Sequence, residues 1–460
     1  MIRIDEKLQA KDLLPAIGRL WELSAAKIRA VEMSCPPDKP SPVFTVRGAY
    51  TARGWTEWTR GFQYGSALLQ FDATGEKEFL ELGRRRTVES MASHLTAMGV
   101  HDHGFNNVST YGNLWRLMNE GRIPEEAGER AFHELALKVS GAVQARRWTR
   151  IRETAAPTRR SQSPAGEGGF IHSFNGPHSL FADTIRSLRA LALSQLLGHV
   201  LMEEGDRPVS ILERYAQHAR ATAAYSVYYG EGRDAYDVRG RVAHESVFNV
   251  QDGGAYRCPN SQQGYSPFST WTRGLAWIML GYAEQLECLP LLGDTGDLGD
   301  VMEKAARASC DFYLEYTPAD GVPYWDTGAP GLAKMGDYLS KPADPMNDHE
   351  PVDSSAAAIA AQGLLRLGRH AKEPKYVQAG LTVLRTLLGE PYLSKDPAHQ
   401  GLLLHAVYHR PNGWDHVPPG SKVPRGESAM WGDYHLRELA LHVQRLARNE
   451  PYLSFFGGRR

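Results

Sequence analysis

The feature that most constrains the fold is an alternation between two kinds of predicted helix along the chain. Segments such as GLAWIMLGYA and SSAAAIAAQGLL carry almost no charge, whereas segments such as DVMEKAARASCDFYLEY place apolar side chains on one face only. A helix without charges must be buried on all sides, while an amphipathic helix covers one side of a core. The alternation therefore predicts an inner ring of helices enclosed by an outer ring.

Apolar periodicity and breaker residues predict twelve helices in total. Each uncharged helix follows a loop rich in glycine, aromatic and polar residues, and these six entry loops read WTEWTRGF, HDHGF, HSLFADT, STWTRGLAW, PVDSS and ESAMWGDY. We expect an all-α fold, a six-hairpin (α/α) barrel of six inner and six outer helices, whose entry loops converge on a funnel. Residues 1–460 are expected to form this single domain. A helical-repeat solenoid is the alternative, but no fixed repeat period is visible.

Breaker residues and apolar spacing also predict where individual helices begin and end. The third is predicted over residues 77–98 and the sixth from about Leu180 to Glu204, and the seventh is predicted to begin near Pro208. These bounds follow from apolar periodicity and from the positions of glycine and proline.

Charge and cysteine content restrict the class of partner. The chain has 52 basic and 53 acidic residues and no extended basic run, which argues against nucleic acid or an anionic membrane as a partner. Its four cysteines lack metal-ligand spacing and the N-terminus lacks a signal-peptide pattern, so we expect reduced thiols in a cytoplasmic protein. Ten Trp and twenty Tyr, many of them beside glycine in loops, suit a carbohydrate ligand, although core packing explains most of them equally well.

Five motifs occur together in one order: HDHGF at 101–105, FADTIRSLRAL from residue 181, QGY with STWTRGLAW at 263–277, DSSAAAIAAQGLL at 353–365 and WGDY at 431–434. This set resembles the unsaturated glucuronyl hydrolases, glycoside hydrolase family 88. The resemblance implies a six-hairpin (α/α) barrel that uses no cofactor. It also implies a substrate left by polysaccharide lyases, an oligosaccharide whose non-reducing terminal uronic acid has a C4=C5 double bond. The expected assembly is a monomer or a homodimer.

The resemblance places the catalytic acid/base on Asp183 and a second essential carboxylate on Asp102. The unsaturated uronide is a vinyl ether, so a proton added to C4 leaves an oxocarbenium-like centre at C5 that water attacks. One carboxyl group can donate that proton and then accept one from water. A raised pKa would suit Asp183 as the acid, and burial beside Asp102 would raise it, whereas a helix N-terminus would lower it.

The resemblance also implies a set of substrate-binding residues, each with an alternative structural interpretation. Arg273 opens a buried helix and is expected either to pair internally or to bind the substrate in the funnel. Trp58 is either a subsite wall or core, and His244 is either a binding residue or a core histidine. The predicted substrate-binding residues are Trp58, Phe174, His244, Gln263, Arg273 and Trp277.

Several residues are expected to be structural or depart from the family pattern. Glu427, Trp431 and Asp433 are expected to close the barrel, and Asp353 to cap a helix. The family usually has Trp where this chain has Gln63 and Phe174, which predicts two altered subsite walls. Arg186 is expected to meet an anionic substrate or to pair with a neighbouring acid.

Other functions are weighed against this interpretation. An unsaturated rhamnogalacturonyl hydrolase would have the same fold and chemistry but a different second sugar. A barrel-type sugar epimerase would use histidine pairs, and a non-enzymatic helical scaffold would need no Asp, Arg and Trp at one end. No metal site is expected, because His101, His103, His172 and His178 lack regular ligand spacing on a helix.

Overall fold

The computed structural model describes residues 1–54, 57–152 and 168–457, and it is built mainly from helices. The six outer helices are α1 (Leu14–Ser34), α3 (Lys77–Ser90), α7 (Ala127–Arg146), α10 (Ile211–Tyr225), α12 (Leu298–Tyr316) and α14 (Pro374–Leu387). The inner positions are occupied by α2 (Arg60–Thr74), α5 (His103–Asn107) with a π-helical turn (Val108–Gly112) and α6 (Asn113–Asn119), α8 (Thr184–Ser187) with α9 (Arg189–Leu196), α11 (Thr272–Cys288), α13 (Ser354–Ala371) and α15 (Met430–Ala447). A short helix, α4 (Ala92–Leu95), follows α3.

The inner helices form a closed ring. Each contacts the next along the chain, and α15 packs against α2 to complete the circle. This closure confirms the predicted toroid and rules out a solenoid, in which the first and last repeats lie apart. In α13 every residue from Ser354 to Gly368 is buried, as expected for an inner helix without an exposed face. No helix in the described part of the chain is long and apolar enough to cross a bilayer.

Glycines allow neighbouring inner helices to approach closely. A Cβ built on Gly104 would lie 2.2 Å from the Ser187 carbonyl oxygen, and one on Gly363 would lie 2.8 Å from the Leu280 nitrogen. Gly61 and Gly281 face neighbouring inner helices with similarly little space. The packing of the ring therefore depends on residues without side chains at these junctions.

Small antiparallel sheets lie in the loops. They are formed by β1 (Ser41–Val46) with β2 (Ala49–Arg53), β3 (Trp148–Ile151) with β4 (Gly168–Ile171), β6 (Leu201–Glu203) with β7 (Arg207–Val209), and the three strands β5 (Ser179–Phe181), β8 (Glu245–Asn249) and β9 (Ala255–Asn260) in the order β5-β8-β9. The three-stranded sheet places the loop before α8 beside the loop before α11.

The structure corrects three predicted helix bounds. The sixth helix was predicted from Leu180, but Ser179–Phe181 is a strand, and the helical region ends at Leu196 and is interrupted at Leu188. The strand is only three residues long and its Leu180 and Phe181 are apolar, so periodicity could not separate a buried strand from the start of a helix. The third helix ends at Ser90 rather than residue 98, and α10 begins after the Ser210 cap, which leaves Pro208 in β7.

Charged side chains fill the middle of the ring. Arg186 pairs with Glu284 and with Glu438, 3.1 Å away, and Arg189 lies beside the same two carboxylates. All four side chains are fully buried. Arg186 therefore pairs with neighbouring acids, the second of its two predicted roles, and it points away from the funnel.

Candidate active site

The entry loops enclose one cavity of about 310 Å³ at the end of the ring. Its lining includes eight residues that the sequence analysis named. They are Trp58, His101, Asp102, Phe174, Asp183, Gln263, Arg273 and Trp277. The structure therefore brings seven of the eight predicted site residues into one cavity, and His244 is the exception.

Asp102 and Asp183 come from different loops and meet at one imidazole. His101 Nε2 lies 3.3 Å from Asp183 Oδ1 and 3.6 Å from Asp102 Oδ1. The His101 carbonyl accepts hydrogen bonds from Gln144 Nε2 and Ser187 Oγ, both at 2.8 Å, which fix this loop against α7 and α8. The arrangement places two carboxylates and one imidazole within reach of the same ligand atoms.

The three groups have pKa values that differ from their usual ones. Burial raises the pKa of Asp102 to about 6, with His101 opposing and Asp183 adding to the effect. Burial also disfavours the ionised form of Asp183, but the hydrogen bond from His101 and its charge outweigh burial and lower the Asp183 pKa. Burial likewise disfavours protonated His101, but the two carboxylates raise its pKa. Of the two opposing effects that the sequence analysis left open for Asp183, the net result is a lowered pKa, and the carboxyl group of this pair with a raised pKa is Asp102.

Arg273 is held by the protein on all sides. Its guanidinium donates to Asp353 Oδ2 at 3.0 Å, Gln263 Oε1 at 2.7 Å, Tyr408 O at 2.7 Å and Val407 O. It also lies between the rings of Trp271 and Trp431. Arg273 therefore pairs internally and also lines the cavity. Its Nη1 and Nη2 atoms donate to protein acceptors. The Arg273 side chain therefore orients Gln263 and does not present a free pair of donors for bidentate binding of a ligand carboxylate.

His244 lies behind the cavity wall. Its Nδ1 accepts the backbone N–H groups of Gln262 at 3.1 Å and Gln263 at 3.2 Å, and its ring packs on Phe181 and Trp271. Burial lowers the pKa of His244 to about 4, so it is neutral at physiological pH. Its contacts make it a residue that positions the glutamine loop.

Aromatic side chains form the remaining walls. Trp58 stacks on Trp431 with ring centroids 4.9 Å apart, and Phe105 packs between Trp58 and Trp277. Phe174 is 51% exposed at the rim, where it stacks on His101. Flat apolar faces beside carboxylates and amides suit a sugar ring, whose C–H face packs on aromatic rings.

Gln63 is not part of this wall. Its amide donates to the Cys35 carbonyl at 3.0 Å on the outer side of α2, against α1. Of the two departures from the family pattern, only Phe174 alters the cavity. The prediction of two altered subsite walls is therefore wrong for Gln63, because residue 63 points away from the funnel.

The residues predicted to be structural have structural contacts. Asp353 caps α13 by accepting from the backbone N–H groups of Ser355 and Ala356. Glu427 accepts from Thr45 Oγ1 and from two backbone N–H groups of the β1–β2 turn, and Asp433 accepts from the N–H groups of Leu402 and Leu403. Both carboxylates hold entry loops to the ring.

The four histidines considered for a metal site diverge. His103 turns inward to Ser140 and Ala97, and His172 contacts Thr149. Within the described residues, no group of three His, Cys, Asp or Glu side chains lies close enough together to hold a metal ion.

Sequence reasoning missed part of the cavity. Glu57, Tyr408, His409 and Trp414 also line it. Glu57 lies in the first entry loop, whose Trp55 and Thr56 are outside the described residues, and it directly precedes Trp58. The other three belong to the segment VYHRPNGWDH, which is rich in aromatic residues and precedes an inner helix. The same loop signal that identified the six entry loops was available there.

Comparisons with known proteins give relatives along nearly the full chain. No family model matches. The unsaturated glucuronyl hydrolase of Bacillus sp. (strain GL1) is 28% identical over 402 residues, which cover 86% of this chain and 88% of the relative. The unsaturated chondroitin disaccharide hydrolase of Streptococcus pyogenes serotype M1 is 25% identical and covers 96% of this chain and 94% of its own length.

Solved structures share the fold. The crystal structure of unsaturated glucuronyl hydrolase from Bacillus sp. GL1 superposes with a TM-score of 0.66 at 23% identity, over 94% of this chain and 96% of that one. The enzyme of the same name from Streptococcus agalactiae gives a TM-score of 0.69 at 19% identity, over 98% of both chains. At these identities the likeness establishes the barrel.

Proposed function

We propose that this chain, like the unsaturated glucuronyl hydrolases that it is similar to along most of its length, removes the Δ4,5-unsaturated uronic acid from the non-reducing end of lyase-generated oligosaccharides. It does so as a glycoside hydrolase that hydrates the C4=C5 double bond. The observation that carries the proposal is the meeting of Asp102 and Asp183 at His101 in a cavity lined by Gln263 and tryptophans.

We assign the proton donor to Asp183, which receives its proton through the hydrogen bond with His101. His101 lies 3.3 Å from Asp183 Oδ1, and the neighbouring carboxylates raise its pKa, which favours a protonated imidazole as the source of this proton. Transfer through Asp183 to C4 breaks the double bond and leaves the positive charge on C5 and the ring oxygen. This route reconciles an acid role for Asp183 with the low pKa of its carboxyl group, because the imidazolium stores the proton.

Water completes the reaction. A water molecule attacks C5 while Asp183 or the ionised Asp102 accepts one of its protons, which gives a hemiketal at C5. The hemiketal loses its C5 hydroxyl proton as the bond from C5 to the ring oxygen breaks, which leaves a ketone at C5 and a protonated former ring oxygen as a hydroxyl on C1. The resulting C1 hemiacetal collapses to an aldehyde: its C1–O glycosidic bond breaks, and the proton of the C1 hydroxyl passes to the leaving oxygen, which frees the neighbouring sugar. The negative charge of Asp102 stabilises the oxocarbenium-like centre before water adds. Ordinary glycosidases instead use two carboxyl groups on either side of the glycosidic bond.

We assign Gln263 to hydrogen bonding with the uronate of the substrate. Trp58 and Trp277 are assigned to packing against the faces of its sugar rings. Arg273 fixes the Gln263 oxygen, so the Gln263 Nε2 donor is left for the ligand. Phe174 closes the rim over His101, and His244 positions the glutamine loop from behind.

The test is the loss of ultraviolet absorbance of the double bond with an unsaturated disaccharide as substrate. Wild type is expected to bleach it, and Asp183→Asn to lower kcat by about a thousandfold, within the range for a positioned acid/base. Asp326→Asn is the matched control. Asp326 is also a buried entry-loop carboxylate, but it binds the N–H groups of Tyr265 and Gly328 and does not line the cavity. Full activity of Asp183→Asn would contradict the assignment.

Three further properties are proposed with this activity. Residues 1–460 form one domain, which is supported by Ile2 and Arg3 bonding to Leu314 and Ala319 and by Phe455 packing on Arg189. The four unpaired cysteines support a cytoplasmic location. We propose that the protein is a monomer or a homodimer, and light scattering would measure which. The proposed binding partner is the oligosaccharide rather than nucleic acid or a membrane.

A further inference from the structure

Glu57 is a cavity carboxylate that the proposed reaction does not use. It lies at the end of the first entry loop, directly before Trp58, and it lines the same cavity as Asp102 and Asp183. Among the described residues, the one hydrogen bond that its carboxylate accepts comes from the backbone N–H of Trp58 at 3.3 Å. No described cation forms an ion pair with Glu57 within 4 Å. A ligand in the cavity would therefore interact with a carboxylate that no neighbouring cation neutralises.

Glu57 lies nearer the mouth than the catalytic carboxylates. Asp102 and Asp183 are only 7% and 8% exposed, whereas Glu57 is half-buried and follows the exposed residues Arg53 and Gly54. A terminal sugar that is cleaved from a chain end must lie deepest, because the rest of the substrate continues outward. The second sugar therefore passes the wall formed by Glu57, Trp58, Tyr408 and Trp414.

The surroundings of Glu57 raise its pKa, so its carboxylate is charged at slightly alkaline pH and partly protonated at lower pH. Burial raises the pKa of Glu57 to about 7, with Asp102 acting in the same direction and Arg53 opposing. Tyr408 faces it from the opposite loop and keeps its proton, since its own pKa is raised. Arg53 is exposed and is held over Trp414 and Phe44.

We propose that Glu57 is the specificity residue for the second sugar, where it disfavours an anionic substituent such as sulfate and favours an uncharged or amino-bearing ring. This inference rests on the proposed hydrolase activity. The physical basis is repulsion between like charges in a partly dehydrated cavity, which outweighs the attraction of the exposed and screened Arg53.

The experiment compares kcat/KM for two substrates that differ in one charge. Both join an unsaturated uronic acid to N-acetylgalactosamine, and one carries a sulfate on O6. Glu57→Gln is expected to raise the ratio of sulfated to unsulfated kcat/KM by about tenfold, the size of one screened charge contact.

Two further variants separate charge from shape. Glu57→Asp keeps the charge and is expected to retain the wild-type ratio, which a purely structural role would not predict. Arg53→Gln removes the opposing cation and is expected to lower the ratio, opposite in direction to Glu57→Gln.

The wild-type enzyme supplies a test that needs no variant. As pH falls from 8 to 6, Glu57 gains a proton and the ratio of sulfated to unsulfated kcat/KM is expected to rise, because catalytic groups common to both substrates cancel. An unchanged ratio, both with pH in wild type and in Glu57→Gln, would overturn the inference. Absence of bleaching of the unsulfated substrate by wild type would instead overturn the proposed activity.

Discussion

His101 lies between two carboxylates that would otherwise repel each other in a buried cavity. Its ring nitrogen contacts both, and its positive charge lowers the pKa of Asp183 while only moderating the rise at Asp102. The protonation of each of these three side chains therefore depends on the other two. Such a group titrates as a unit, and its apparent pKa values belong to the set.

This coupling predicts a bell-shaped pH dependence of kcat/KM. On the acid side, activity is expected to fall as pH drops through about 6, because Asp102 gains a proton and no longer stabilises positive charge at C5. On the alkaline side, activity is expected to fall above the usual histidine range, because His101 loses the proton that Asp183 delivers. The measurement is the initial bleaching rate at low substrate concentration across pH 4–10.

Asp102→Asn is the control for the assignment of the acid limb. The variant is expected to be slower by a factor of about a hundred and to lack the inflection near 6, while it keeps an alkaline limb. If the loss of activity at low pH persists in Asp102→Asn, a group other than Asp102 causes it.

Arg273 connects three elements at the cavity: the start of α11, the start of α13 through Asp353, and the loop that contains Val407 and Tyr408. Its flat guanidinium contacts two tryptophan rings. Nη1 donates to Asp353 and Val407, and Nη2 donates to Gln263 and Tyr408. Lysine has one nitrogen and a flexible stem, so it cannot reproduce this set of bonds.

Arg273→Lys is therefore expected to raise KM by roughly tenfold to a hundredfold with a smaller change in kcat, because Gln263 loses its orientation toward the substrate. Steady-state kinetics on the unsaturated disaccharide would measure the two constants separately. Arg369→Lys is the matched control, since Arg369 lies at the C-terminal end of α13 against Tyr452 and outside the cavity lining. A fall in thermal stability without a change in KM would show that Arg273 only supports the fold.

Helix type could be predicted from the sequence, but break points and side-chain directions could not. Asp353 was predicted as a cap because the residue type and the following uncharged run both favour a helix start. The strand at Ser179–Phe181 was missed because its apolar residues fit either structure, and it forms only by pairing with distant β8. Gln63 lies in the first turn of α2 and bonds the end of α1, whereas Phe174 lies in the loop between β4 and β5 and lines the cavity, and the sequence shows neither direction.

The same limit applies to electrostatics. The sequence placed Asp102 and Asp183 in two entry loops, but their distance depends on how the loops fold over the ring. The contact of both with His101, which the sequence could not show, decides that the pKa of Asp183 is lowered while that of Asp102 is raised. Resemblance to a family could supply residue identities at motif positions. Glu57 and Tyr408 lie in loops whose composition the sequence shows, but that their side chains line the cavity depends on how these loops fold over the ring.

The whole ring depends on close approach between inner helices, and glycines occupy the contact points. Gly363 of α13 faces the backbone of α11, where an added Cβ would lie 2.8 Å from Leu280 N and 2.9 Å from Met279 Cβ. Backbone atoms cannot rotate away as a flexible side chain can, so relief requires the two helices to separate. Because the ring is closed, a shift at one junction is passed to the neighbouring ones.

Gly363→Ala is accordingly expected to lower the free energy of unfolding by about 2 kcal/mol, despite the better helix propensity of alanine. Gly18→Ala is the matched control, because Gly18 lies in outer helix α1 with nothing within 4 Å of an added Cβ. That substitution is expected to stabilise the protein by up to about 1 kcal/mol, since alanine loses less conformational entropy in a helix. Urea unfolding followed by circular dichroism measures both, and equal stabilisation by the two substitutions would contradict glycine-dependent packing of the ring.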